Sequence, residues 1–110
     1  MIKPALRLPA VLFSSFIVHT FCIWIFAVAF CLLAYSEGTG RIVQIDHDIF
    51  EYLYFSATTY TTVGYGDLIP IGNIRLLSAA EALCGLLLIA WTASLGYGEI
   101  NNFMNNNKGE

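Results

Sequence analysis

Few side chains in this sequence could carry acid–base, nucleophilic or metal chemistry. His19 and His47 are the only histidines, and neither joins an acid–base pair or a metal-ligand cluster. Cys22, Cys31 and Cys84 all fall within apolar runs and form no CxxC spacing. They read as small buried hydrophobes, with no metal site or disulfide expected. An enzyme is therefore not expected. What remains is the backbone of Thr61-Thr62-Val63-Gly64-Tyr65-Gly66-Asp67. This stretch is poor helix material, and Gly64 and Gly66 can take positive φ at little cost. Successive carbonyls then need not alternate as in a strand but can point together towards one axis. A column of carbonyl oxygens suits a bare cation. One chain supplies one such strand, so copies of the chain must meet to surround an ion.

The rest of the chain must carry that strand to a place where a bare ion needs ligands. Of 110 residues, 57% are hydrophobic and 12% charged, which is too apolar for a soluble domain of this size. Leu8 to Ser36 holds no Asp, Glu, Lys or Arg over 29 residues, and Ala82 to Gly98 holds none over 17. A helix rises about 1.5 Å per residue, so a hydrocarbon core about 30 Å thick needs roughly 20 residues. The first run is long enough alone. The second is long enough once Leu76 to Ala80 are included and Glu81 is tolerated. The pattern predicts an outer helix over 10–34 and an inner helix over 76–97, with a re-entrant segment between them, in a single domain over 1–110. Pro4 and Pro9 suit a helix start better than a helix middle, so Met1 to Pro9 reads as a short lead. The first apolar run is too long for a signal peptide and ends in no small-residue cleavage pattern.

Between the spans, Ser36-Glu37-Gly38-Thr39-Gly40 breaks the helix, and Arg41 to Ile49 continues as an outer turret. Asp48 is a candidate N-cap with Glu51 three residues later. Tyr52, Phe55 and Thr59, with Ile49 and Tyr60, recur at helical spacings, which predicts a short helix over 48–61. Pro70 and Gly72 turn the chain after Asp67. Lys3 and Arg7 precede the first span, whereas 35–75 carries five acids against two arginines. Positive residues favour the cytoplasmic side. Both termini are thus expected inside and the acidic middle outside, in a multi-pass protein of the plasma membrane. The Asn-rich tail from Asn101 is expected to fray.

Flanked by two spans at this spacing, Thr62-Val63-Gly64-Tyr65-Gly66-Asp67 resembles the selectivity filter of the two-transmembrane potassium-channel pore family. The resemblance covers roughly Asp48 to Leu95. It implies an all-α membrane protein: two transmembrane helices, a re-entrant pore helix and a filter loop over 62–67, with four copies around one axis assembled as a cyclic homotetramer in a lipid bilayer. It implies that the carbonyls of Thr62, Val63, Gly64 and Tyr65, with the Thr62 hydroxyl, replace the water shell of K+. Gly66 belongs to the same strand, and Asp67 would sit at the outer mouth. Tyr54 and Phe55 fall where the family has aromatics that brace the filter from behind. Thr58 stands where some members place a carboxylate that pairs with the aspartate, so that pair is missing here. Apart from the permeant ion, no cofactor, nucleic acid or small-molecule substrate is implied. The function implied is passive, potassium-selective conduction. A cation channel of relaxed selectivity, or a non-conducting modulatory pore subunit, is the alternative.

Four features of the helices stay outside that scheme. Gly85 lies close to the family's hinge position, and Gly96 is a second candidate for a bend, but close helix packing explains Gly85 equally well. Glu81 is a carboxylate inside a span, at a cost of roughly 2.5–3.5 kcal/mol at the centre. Six residues past Arg75, it lies about 9 Å below the outer boundary, level with the pore helix. There it would brace the filter by hydrogen-bonding pore-helix hydroxyls. His19 is either a pH sensor or a neutral histidine bonded to a neighbour. The second Gly-Tyr-Gly, at Gly96-Tyr97-Gly98, has no Thr-Val before it and no pore helix leading in, so it is not a second filter.

Overall fold

A computed structural model describes residues 3–108. The elements in order are α1 (Pro4–Ala34), β1 (Arg41–Val43), α2 (Ile49–Tyr60), β2 (Ile69–Ile71) and α3 (Ile74–Lys108). The fold is mostly helical, as expected. α1 and α3 are both long and apolar enough to cross a membrane.

Both long helices exceed their predicted bounds. α1 begins at Pro4 and carries Pro9 inside it. Pro9 lacks the N–H that would reach the carbonyl of Ala5, but that carbonyl lies in the first turn, so the helix loses one bond and runs on. α3 starts at Ile74 and continues through Asn101 to Lys108, where fraying was expected. No proline follows Pro70 to stop it, each added residue gains a hydrogen bond once the helix exists, and Lys108 complements the dipole in the last turn. The second Gly-Tyr-Gly is ordinary helix within α3. The last two residues of the tail lie outside the described residues.

α2 is the wedge between them. Its N-cap is Asp48, whose carboxylate accepts from the Phe50 N–H at 3.4 Å. Glu51 sits in the first turn, where the helix dipole favours an acid. Tyr52, Phe55, Ser56 and Tyr60 form its buried face, at the i, i+3, i+4, i+8 spacing of one helical stripe. Tyr52 and Phe55 join Ala27, Phe30, Ile42, Leu68 and Ile74 in the apolar core. Phe55 meets Phe30 edge-on, with centroids 5.1 Å apart. Elsewhere α1 turns its apolar side chains outward. Phe13, Phe16, Phe21 and Ile25 are each about two-thirds exposed, the inverse of a soluble core helix.

Sequence periodicity gave no sign of the small sheet. β1 and β2 pair antiparallel, with Arg41 opposite Ile71, Ile42 opposite Pro70 and Val43 opposite Ile69. It ties the turret to the turn after Asp67. Pro70 is tolerated because both strands are edges. Gly40 is required where the two segments cross, since a Cβ there would lie 2.2 Å from the Ile71 carbonyl oxygen. The Thr39 carbonyl accepts from the Ile74 N–H at 2.8 Å and fastens the start of α3 to the same loop.

Candidate functional site

The strand after α2 is built from the helix's own unspent carbonyls. The last four C=O groups of a helix have no partner within it. Here the Thr61 N–H donates to the Ala57 carbonyl (3.1 Å), Thr62 to Thr59 (3.0 Å) and Gly64 to Thr58 (3.1 Å). Thr61, Thr62 and Gly64 are thus pinned to the C-terminal, partially negative end of α2.

Beyond that point the backbone alternates in hand. Thr62, Gly64 and Gly66 have φ of 62°, 52° and 84°, and Val63 and Tyr65 between them do not share this conformation. Alternating left- and right-handed residues gather the N–H groups on one side of the strand and the carbonyls on the other. The glycines were legible as sites of positive φ. Thr62 was not, because a β-branched residue in the left-handed region costs roughly 1–2 kcal/mol. Such strain persists where surrounding structure over-determines the backbone.

Residues 61–67 are all exposed in the single chain. Val63 is 54% and Tyr65 70% exposed, so their packing within one chain is partial. Tyr54 stacks on Tyr65 at 6.3 Å between centroids and 8° between planes. Asp67 is the strongest influence on the Tyr54 hydroxyl, and its Oδ1 also accepts from the Leu68 N–H at 3.1 Å. Phe55, paired with Tyr54 as a filter brace from the sequence, points instead into the core against Phe30. One residue of helical rotation separates the two positions, enough to turn neighbours onto different faces.

Two polar nodes and one tight contact hold α2 from behind. Glu81 of α3 is fully buried, with Oε1 2.5 Å from Ser56 Oγ. The same Ser56 Oγ lies 2.7 Å from the Ile23 carbonyl of α1. His19 of α1 places Nδ1 2.7 Å from the Tyr60 hydroxyl and Nε2 2.7 Å from Thr92 Oγ1 of α3. Thr92 donates onward to the Leu88 carbonyl at 3.1 Å. A neutral ring protonated on Nε2 satisfies this chain in one direction: Tyr60 to His19, His19 to Thr92, Thr92 to Leu88. Gly85 abuts the end of α2, where a Cβ would lie 1.9 Å from the Tyr60 carbonyl oxygen. Of the two readings of Gly85, close packing thus has a contact behind it. Gly96 is looser, facing Leu12 and Leu8 at 3.7 and 3.9 Å from a built Cβ. Sequence reasoning had not singled out Ser56, Tyr60 or Thr92 as partners. A serine on the otherwise apolar stripe of α2 was the available signal.

Among the described residues no group of His, Cys, Asp and Glu could hold a metal ion. The ligands this site offers are main-chain oxygens.

Comparison with known proteins bears on the family of the chain. A family model described as "Ion channel" matches residues 10–97. The inward rectifier potassium channel Kirbac3.1 of Paramagnetospirillum magnetotacticum is 53% identical over 45 residues, 40% of this chain and 15% of that protein. Protein LctB of Bacillus caldotenax is 50% identical over 38 residues, 34% of this chain and 28% of its own length. LctB of Geobacillus stearothermophilus is 38% identical over 55 residues, 50% of this chain and 39% of its own. The chain thus matches well under half the length of each of these relatives. No solved structure matches it. The family match runs from the start of the predicted outer helix to the end of the predicted inner one, and so the chain belongs to the two-transmembrane potassium-channel pore family of ion channels.

Proposed function

We propose that four copies of this chain form a potassium-selective pore that conducts passively. The observation that carries this reading is the alternating hand at Thr62, Gly64 and Gly66, at the negative end of a short helix held at membrane depth. Irregular backbone at that depth is tolerated only when it is buried in protein or lines a wet cavity. Four strands around one axis provide both conditions. In this reading the carbonyls of Thr62, Val63, Gly64 and Tyr65 and the Thr62 hydroxyl take the place of the ion's water shell, and the end of α2 contributes a favourable dipole. Asp67 gathers cations at the outer mouth. The bare flanks of Val63 and Tyr65 are where neighbouring copies pack.

Lys3 and Arg7 put both termini on the cytoplasmic side of a plasma membrane under the positive-inside rule. The test is potassium flux from vesicles containing the purified full chain, with block by barium and a sodium comparison. Vesicles that stay tight to potassium, with the assembled protein in them, end the reading. Equal potassium and sodium flux replaces it with a channel of relaxed selectivity. Cross-linking in detergent tests for four copies.

A further inference from the structure

A proton count at Ser56 goes further than the packing does. The hydroxyl has one proton, yet Ser56 Oγ is 2.7 Å from the Ile23 carbonyl and 2.5 Å from Glu81 Oε1. The carbonyl can only accept. If Glu81 were a carboxylate it too could only accept, and one of these two contacts would set bare oxygens against each other with no hydrogen between them. Both contacts become hydrogen bonds in one arrangement. The acid's O–H donates to Ser56, and the Ser56 O–H donates to Ile23.

The surroundings agree. Glu81 is fully buried within a single chain, before any neighbour is added. Its Oε2 meets no hydrogen-bonding group, a heavy penalty for half of an ionised carboxylate and a light one for the carbonyl of a neutral acid. Among the described residues no cation stands by to offset a charge. Arg75, the nearest basic residue in sequence, spends its Nε on the Gly72 carbonyl at 3.2 Å. The titratable group facing Glu81 from α2 is Tyr60, which has Cys22 of α1 and Cys84 of α3 beside it. A phenol or a thiol carries no positive charge in either of its forms, so none of the three supplies a counter-charge.

We propose that Glu81 is carried as the protonated acid, and that its proton makes it a positioning residue tying all three helices together behind the filter strand. The tie reaches the filter in two steps. Ser56 fixes the middle of α2, and two residues later the Thr58 carbonyl holds the Gly64 N–H at 3.1 Å. When the proton is lost, Ser56 must turn its only hydrogen to the carboxylate and release Ile23, so α2 loses its bond to α1. While the proton is kept, above the pH at which an unfolded glutamate ionises, the folded chain binds one more proton than the unfolded chain. Stability falls as pH rises, by up to about tenfold in the folded-to-unfolded ratio per pH unit.

The protonation claim stands on this geometry alone; what the tie is for rests on the channel reading. The experiment compares the full chain and Glu81→Gln in lipid vesicles, by infrared difference spectroscopy and by thermal unfolding from mildly acidic to mildly alkaline pH. The expected results are a neutral-carboxyl C=O band that Glu81→Gln abolishes, and a stability of the parent relative to Glu81→Gln that falls as pH rises. A parent spectrum showing only carboxylate at this residue overturns the proposal, as does a stability difference between the two proteins that does not change with pH. If Glu81→Gln does not assemble, Ser56→Ala decides. The neutral-carboxyl band must then shift to that of an unbonded acid, and a band that stays put overturns the assignment. Potassium flux on the same vesicles keeps the two readings apart. Absent flux counts against the channel alone, because the spectrum judges the proton without it.

Discussion

Replacing Gly85 by alanine separates packing from bending. On an exposed helix the change stabilises by about 1 kcal/mol. At Gly85 the new Cβ would lie 1.9 Å from the Tyr60 carbonyl oxygen, 2.7 Å from its carbon and 3.0 Å from its Cα. Against ordinary contact the first distance is short by about 1.5 Å. All three atoms are backbone at the end of α2, so no side chain can swing away. Overpacking of this kind costs typically 1–3 kcal/mol or more, and the helix-propensity gain offsets only part of it. The expected net loss is about 1–2 kcal/mol, with reduced potassium flux because the displaced end of α2 carries the filter. The same change at two other α3 glycines supplies the scale. Gly98 has nothing within 4 Å of a built Cβ, and Gly96 only leucine methyls at ordinary contact distance. Both are expected to gain up to about 1 kcal/mol. The measurement is thermal unfolding of the three variants in detergent beside flux from vesicles. If Gly85→Ala is as stable as the other two, the tight contact is refuted and bending becomes the better account of this glycine.

Other substitutions test other parts of the site. Thr62→Gly removes roughly 1–2 kcal/mol of left-handed strain, so unfolding is expected to need at least as much heat. Potassium flux is expected to fall through loss of the hydroxyl, and Thr62→Ser should keep it. His19→Ala strands the Tyr60 hydroxyl and removes the bond to Thr92, which keeps the Leu88 carbonyl, and is expected to cost about 1–3 kcal/mol. An unchanged melting curve would show that the bridge across the three helices contributes nothing. Asp48→Ala removes the N-cap of α2, with an expected loss of about 0.5–1 kcal/mol, recovered in part by Asp48→Ser.

Legibility in the sequence followed the range of the interactions. Both long apolar helices were readable, because charge-free runs are local patterns, as is the Thr-Val-Gly-Tyr-Gly-Asp string on which the proposed filter rests. α2 was readable because Asp48 and the stripe from Tyr52 to Tyr60 repeat within a few turns. The sheet was not, since three residues per strand carry no period and the pairing of Ile42 with Pro70 crosses the whole re-entrant segment. Nor were the polar nodes. Ser56 reaches Ile23 across 33 positions and Glu81 across 25, and His19 reaches Thr92 across 73. A sequence can announce that Glu81 needs a partner, because an acid in a span is costly. It cannot say which hydroxyl answers, because helix rotation selects it.

The strain at Thr62 and the crowding behind α2 belong to one balance. A strand that alternates in hand is unfavourable at every residue except glycine, and this one spends a threonine at its first left-handed position. Left free, it would relax to an ordinary turn. It is not free, because the N–H groups of Thr61, Thr62 and Gly64 are bonded to the end of α2. That end is itself fixed by Gly85 against the Tyr60 carbonyl, by His19 on the Tyr60 hydroxyl and by Glu81 and Ile23 on Ser56. A net hydrogen bond contributes about 1 kcal/mol, so three such attachments exceed the cost of one left-handed threonine. The single chain therefore holds the inner flank of the proposed filter, while Val63 and Tyr65 remain open on the outer flank. In the proposed tetramer, rigidity there comes from other copies. It follows that loosening α2 from within a chain and loosening contacts between chains should damage conduction separately. A Ser56→Ala and Tyr65→Ala double mutant should show nearly additive losses in stability, since one acts within the subunit and the other between subunits. A coupling larger than about 0.5 kcal/mol would mean that the two flanks are not independent supports.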